Sequence, residues 1–145
     1  MLDIQSVENI LSNHFNKTVL VSSHHIIGGG SINNVYKIES NQGIFFLKEN
    51  SYSRFPQMFQ KESKGLEILR NTHIIDIPNV ICNEDINGRS YLFMDFVSSG
   101  GQTNNFWDDF ACKLSELHKQ TNDKFGLDHD NYIGSLKQYN SPKET

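Results

Sequence analysis

The sequence predicts an α+β fold: one antiparallel sheet of about five strands with a helix packed on its face. Three observations predict it. Short β-branched and aromatic runs recur between Thr18 and Val97, each bounded by Gly, Asn or Ser turns. Apolar residues take helical spacing at the amino terminus, after Phe55 and again after Asn105. The 145 residues amount to about one ordinary domain, and 37% apolar content with 10 Phe, 5 Tyr and 1 Trp suffices for a core.

In chain order, Ile4, Val7, Ile10 and Leu11 share one side of a first helix that begins to end at Asn13-His14. Thr18 to Ile27 is a strand running into Gly28-Gly29-Gly30-Ser31. Val35 to Glu39, the turn Ser40-Asn41-Gln42-Gly43 and Ile44 to Lys48 form a hairpin. A polar loop leads to Phe55-Pro56, where proline suits the first position of a helix reaching Arg70. Pro78 forces an extended entry into Val80-Ile81-Cys82. An Asn-Gly turn between Glu84 and Arg89 then leads to an apolar strand from Ser90 to Val97. Ser98-Ser99-Gly100-Gly101 is a flexible joint. Beyond it Phe106, Phe110, Leu114 and Leu117 line a helix whose start is marked by Asn105, with Asp108 and Asp109 at the positive end of its dipole.

Composition excludes several classes. Lys+Arg 13 against Asp+Glu 17 leaves a net charge of −4, without the basic excess of a general nucleic-acid binder. No apolar run reaches the ~18 residues of a membrane span, and the acids near the amino terminus do not suit a signal peptide. Cys82 and Cys112 form neither a C-x-x-C motif nor a disulfide framework, so a reduced, cytosolic compartment is expected.

The chemistry concentrates in three places. Gly28 to Asn34 lies between two strands, where successive glycines let main-chain N–H groups approach a polyphosphate without a Cβ in the way. A plain glycine-rich hairpin turn is the alternative. No Gly-Lys-Ser/Thr follows, which excludes a P-loop, and a strand follows where a Rossmann fingerprint needs a helix. What remains is a glycine hairpin lid over a nucleotide, which requires a lysine on the next strand. Lys48 ends Ile44-Phe45-Phe46-Leu47-Lys48 in that position; alone it could equally snorkel to the surface. Phe55, Phe59, Leu66 and Leu69 predict the buried stripe of the following helix, and Glu62 interrupts it, whereas Glu67 falls outside it. A carboxylate in an apolar stripe needs a partner unless it reaches water from the edge of the stripe; paired with Lys48, Glu62 would give the arrangement by which kinases hold a lysine on the α- and β-phosphates. The strand ending Met94-Asp95-Phe96-Val97 opens into the flexible joint, as the strand before a kinase hinge does. Met94 would lie beside an adenine, with Asp95 and Val97 offering a carbonyl and an N–H.

With these residues in view, Gly28-Gly-Gly-Ser-Ile-Asn-Asn-Val-Tyr36, Gly43-Ile-Phe-Phe-Leu-Lys48, Met58-Phe-Gln-Lys-Glu62 and Leu66-Glu-Ile-Leu69 resemble the fructosamine/ketosamine-3-kinase family. That family shares the wider kinase-like fold with aminoglycoside phosphotransferases. Leu114-Ser-Glu-Leu117-His118, Phe125-Gly126, Asn131-Tyr-Ile-Gly134-Ser and Gln138-Tyr-Asn140 are similar to its later segments. The resemblance implies a kinase-like amino-terminal lobe over residues 1–97, and a hinge with the first helix of a larger lobe over 98–145. It implies ATP and Mg²⁺ as cofactors and transfer of the γ-phosphate to a sugar hydroxyl of a ketosamine or glycated amine. Gly28, Gly29, Gly30, Ser31, Asn33, Lys48, Glu62, Met94, Asp95 and Val97 would hold the nucleotide.

The family's His-Gly-Asp catalytic loop, with an Asn five residues beyond the Asp, does not occur in these residues, so no catalytic residue and no metal ligand is assigned. Asp128-His129-Asp130 lacks the intervening Gly and has Ser135 where that Asn would stand; a solvated loop explains it better than a metal site. The chain alone is therefore expected to be inactive. The alternatives are a non-catalytic nucleotide- or partner-binding lobe, and another small-molecule kinase of this fold, of aminoglycoside or choline type. A lone lobe would also expose an apolar face and self-associate through it.

Overall fold

A computed structural model of the chain describes residues 2–29 and 32–140. Packing divides them into two compact units, one of residues up to Phe59 with Asn79–Val97, the other of Gln60–Pro78 with the residues from Ser98 onward.

The first unit holds helix α1 (Ile4–Phe15) and strands β1 (Val21–Gly29), β2 (Asn34–Ser40), β3 (Gly43–Ser51), β4 (Val80–Ile86) and β5 (Arg89–Asp95). The strands form one five-stranded sheet in the order β1-β2-β3-β5-β4, every neighbouring pair antiparallel. This is the predicted α+β architecture. Helix α1 opens on a cap absent from the sequence reading: Asp3 accepts from the Ser6 backbone N–H at 3.3 Å and from its hydroxyl at 2.7 Å. Those bonds hold the Asp3 carboxyl below the usual carboxylate range. The helix closes at Asn16 in the left-handed conformation. Its Val7, Ile10 and Leu11 pack with Tyr36, Ile38, Phe45, Leu47, Tyr91 and Phe93, alternate residues from one face of the sheet. Lys48 and Met94 therefore fall on the other face.

Strand β1 begins at Val21 instead of Thr18, because its lead-in bonds to side chains. The Val19 N–H donates to the Ser12 hydroxyl at 2.8 Å and the Leu20 N–H to Asn41 Oδ1 at 3.0 Å. The strand also runs further than expected, with Gly28 paired to Val35 and Gly29 to Asn34. The first two glycines thus belong to the ladder. Gly30 and Ser31 lie outside the described residues. In the β4–β5 turn, Asn87 (φ 51°) and Gly88 (φ 76°) both take the left-handed conformation that a tight hairpin demands. Strand β5 ends at Asp95, short of Val97.

Cys82 packs half-buried on β4, and burial with the nearby Glu84 pushes its thiol up from 9.0 to about 12. Because folding raises this pKa, the stability tied to the neutral thiol is intact below pH 9.0 and declines as the pH climbs toward about 12. At about pH 8, iodoacetamide is expected to alkylate the exposed Cys112 and spare Cys82, which peptide mass spectrometry would read; equal labelling would contradict the burial of Cys82.

Helix α2 (Met58–Asn71) starts in the first unit and continues in the second. It does not begin at Phe55-Pro56. Gln57, at φ 61°, is left-handed and cannot lie inside a helix. The expected buried stripe is likewise shorter: Phe55 is buried from the preceding turn, Met58 and Phe59 are buried, Leu66 is half-buried and Leu69 is 37% exposed. The second unit adds α3 (Phe106–His118) and a small hairpin of β6 (Asn131–Ile133) and β7 (Leu136–Gln138) to which the sequence pattern does not point. Asn105 occupies the cap position of α3 without a side-chain cap bond, so Asp108 and Asp109 are the first-turn acids that favour this start. None of the α3 residues is buried; Phe106, Trp107 and Phe110 cluster with ring centroids 5.0–6.4 Å apart.

Candidate nucleotide site

The face of the sheet opposite α1 carries Val35 from β2, Phe46, Lys48 and Asn50 from β3, and Ser90, Leu92 and Met94 from β5. The register orders them: Lys48 sits between Val35 and Leu92, and Phe46 opposite Met94. Two residues of strand, about 7 Å, separate the Met94 row from the Lys48 row. Lys48 is half-buried and Met94 buried. Val35 directly follows Asn33-Asn34, so the exit of the glycine connection reaches the Lys48 end of this face. A Cβ built at Gly28 would meet nothing within 4 Å. The chain itself therefore does not require glycine there.

At the other end of the face, the Asp95 N–H donates to the Asn79 carbonyl at 3.0 Å. Asp95 Oδ2 accepts from Asn79 Nδ2 at 2.5 Å and from its backbone N–H at 3.3 Å, which ties the residue after Pro78 to the end of β5. Val97 lies beyond the ladder and is 68% exposed. Lys37 bonds Glu39 at 2.6 Å and lies 5.3 Å over the Phe96 ring; this ion pair and the Ser23 hydroxyl hold the Glu39 carboxyl below its usual range.

Glu62 is half-buried on the part of α2 that belongs to the second unit, and Glu67 is exposed, as its place off the stripe implied. In the same unit Asp128 bonds His129 at 2.5 Å, which with Lys64 nearby lowers the Asp128 carboxyl, while Asp130 accepts from the Asn140 N–H at 2.9 Å. Asp128 and His129 thus pair with each other, while Asp130 holds a separate loop contact. Among the described residues no group of three or more His, Cys, Asp or Glu side chains could hold a metal ion, and no helix is long and apolar enough to cross a membrane.

The sequence reading passed over Glu49. Its carboxylate is 1% exposed on the α1 face, ion-paired with Arg89 across the β3–β5 ladder, and accepts from Asn34 Nδ2 at 3.0 Å. Burial first, then the Glu49 charge, pushes the Tyr36 phenol up. The signal was available: Phe45, Leu47 and Glu49 alternate on one face, so an acid continues an apolar series.

The fructosamine kinase family model matches residues 3–145. The chain belongs to the fructosamine kinase family. Among its relatives, a chloroplastic protein-ribulosamine 3-kinase of Arabidopsis thaliana is 39% identical over 118 residues, covering 79% of this chain and 36% of the relative. The corresponding protein of Oryza sativa subsp. indica is 32% identical over 128 residues, covering 86% of this chain and 37% of its own. Among solved structures, a "putative fructosamine-3-kinase" from Haemophilus somnus 129PT superposes with a TM-score of 0.84 at 26% identity, over 94% of this chain and 46% of that one. This fructosamine kinase family chain thus spans less than half the length of those relatives.

Proposed function

We propose that the chain is the ATP-binding half of a fructosamine/ketosamine kinase. The observation that supports this most directly is the placement of Lys48 on the sheet face away from α1, beside the exit of the glycine connection and one row from Met94. In this reading the glycines from Gly28 to Gly30, with Ser31 and Asn33, cover the polyphosphate and Lys48 neutralises it. By the same family resemblance, Glu62 is the residue assigned to orient Lys48. Met94, Asp95 and Val97 hold the adenine. Magnesium would neutralise the phosphates when bound; its ligands belong to the lobe that this chain does not supply. In the complete reaction a ketosamine hydroxyl oxygen loses its proton and bonds to the γ-phosphorus as the bond to the β–γ bridging oxygen breaks and ADP leaves. These 145 residues contain no His-Gly-Asp loop, so the chain alone binds without turnover.

Calorimetric titration with Mg·ATP is expected to show saturable, one-to-one binding, and no ADP should form when a fructosamine is added. A chain that takes up no heat with ATP overturns the reading. The reduced, cytosolic compartment belongs to the same proposal, as both cysteines are free.

Self-association is part of it too. Phe106, Phe110 and Trp107, the last 66% exposed, form an aromatic cluster on a helix that buries none of its residues. Light scattering at rising concentration is expected to show a dimer or larger species, with Trp107 emission moving to the blue. A monomer with unchanged emission at high concentration would contradict it.

A further inference from the structure

The exit of the glycine connection is held at two successive residues by two successive residues of β3, immediately after Lys48. Asn34 Nδ2 donates to Glu49 Oε2 at 3.0 Å, on the α1 face of the sheet. Asn50 Nδ2 donates to Asn33 Oδ1 at 3.0 Å, and Asn50 shares the face of Lys48. Both β3 groups are themselves held by further partners. Glu49 is ion-paired with Arg89, and Asn50, 4% exposed, has its Nδ2 3.3 Å from Met58 Sδ.

The Asn50 Oδ1 atom is buried and accepts no hydrogen bond. A buried amide with one half unused costs more than an apolar side chain of similar size would. The residue therefore destabilises its own surroundings unless its other half performs a task, and the task visible is the bond to Asn33. Positions 48, 49 and 50 then act as one rigid ruler: the cation and the two anchors of the glycine connection occupy consecutive residues of a central strand, so neither moves without the other.

Resting on the nucleotide reading above, we propose that Asn50 and Glu49 are positioning residues that clip Asn33 and Asn34, where the glycine connection enters β2, to the Lys48 strand. The start of β2 is thereby fixed beside Lys48 before ATP arrives, and part of the cost of ordering it falls on folding instead of binding.

Hydrogen exchange of the 145-residue chain, read by mass spectrometry without ligand, tests the clip directly. Residues 33–36 are expected to exchange about tenfold faster in Asn50→Ala, as loss of one side-chain hydrogen bond would allow. The change should be as large in Asn33→Ala and no larger in the double variant, with β4 unaffected. Unchanged exchange at 33–36, or effects that simply add, overturns the proposal. If Asn50→Ala fails to fold, Asn33→Ala tests the same bond from its less buried end, and Asn33→Asp, which keeps the acceptor oxygen, should restore protection.

Titration separates positioning from general damage. Asn50→Ala should weaken Mg·ATP about tenfold and leave adenosine unchanged, since the clip sits at the Lys48 end of the face, which the nucleotide reading gives to the phosphates; equal weakening of both overturns the positioning role. A wild-type chain that binds neither ligand removes the nucleotide reading and the clip's purpose with it. The exchange result still decides whether the clip exists.

Discussion

Lys48→Ala is expected to abolish measurable ATP binding while the chain stays folded. The side chain stands half-buried on the sheet face away from α1, so its removal leaves the packing of Phe45 and Leu47 against the helix intact. Its loss deprives a polyphosphate of a fixed ammonium on a central strand, flanked by Val35 and Leu92. Each hydrogen bond to a charged group contributes about 1.5–3 kcal/mol, so two of them lost raise Kd by about 100-fold or more. Lys48→Arg should recover only part of this, because a planar guanidinium does not reproduce the compact ammonium. Calorimetry with Mg·ATP checks both variants, and urea unfolding should place Lys48→Ala within about 1 kcal/mol of the parent. Unimpaired ATP affinity in Lys48→Ala would remove the central residue of the proposed site. Binding should also weaken as salt rises, since the interaction joins opposite charges near the surface.

How far such a site can be read from sequence depends on whether the deciding interaction is local. The hairpin joining β2 and β3 and the Asn87-Gly88 turn follow from two or three neighbouring residues, and both are where the sequence puts them. The placement of Lys48 follows from strand alternation, a period-two rule that needs no tertiary information. The ends of β1 do not follow. Its start is delayed by side chains of Ser12 and Asn41, and its extension through Gly28 and Gly29 comes from pairing with β2. The start of α2 was missed because Gln57 adopts a left-handed conformation that no propensity favours in that residue. Asn50 carries no sequence signal at all: an asparagine ending a strand reads as a turn residue, and only the register with the glycine connection reveals that it is buried against Asn33. Glu49 is the opposite case, legible from alternation but overshadowed by the lysine beside it.

Glu49 also governs the largest expected stability effect, which comes from its partner. Arg89→Met keeps the aliphatic stem and removes the guanidinium, leaving a carboxylate that is 1% exposed without its cation. Stranding one member of a buried pair costs about 3–5 kcal/mol. Because the Arg89 side chain is 45% exposed and already partly screened by water, about 3 kcal/mol is expected. Urea unfolding should show this as a lower midpoint at constant slope. Glu49→Gln in the same background should recover much of the loss. A neutral amide no longer needs the cation, and its oxygen can still accept from Asn34, which the carboxylate holds at 3.0 Å. The double variant separates two explanations that the single one cannot. If the charge is what matters, Arg89→Met with Glu49→Gln is more stable than Arg89→Met alone; if the arginine acts only by covering the sheet, the second substitution adds a further loss. A cost below about 0.5 kcal/mol for Arg89→Met would reduce the pair to an ordinary surface contact. The Asn34 anchor would then rest on a carboxylate that holds its position without help from the neighbouring strand.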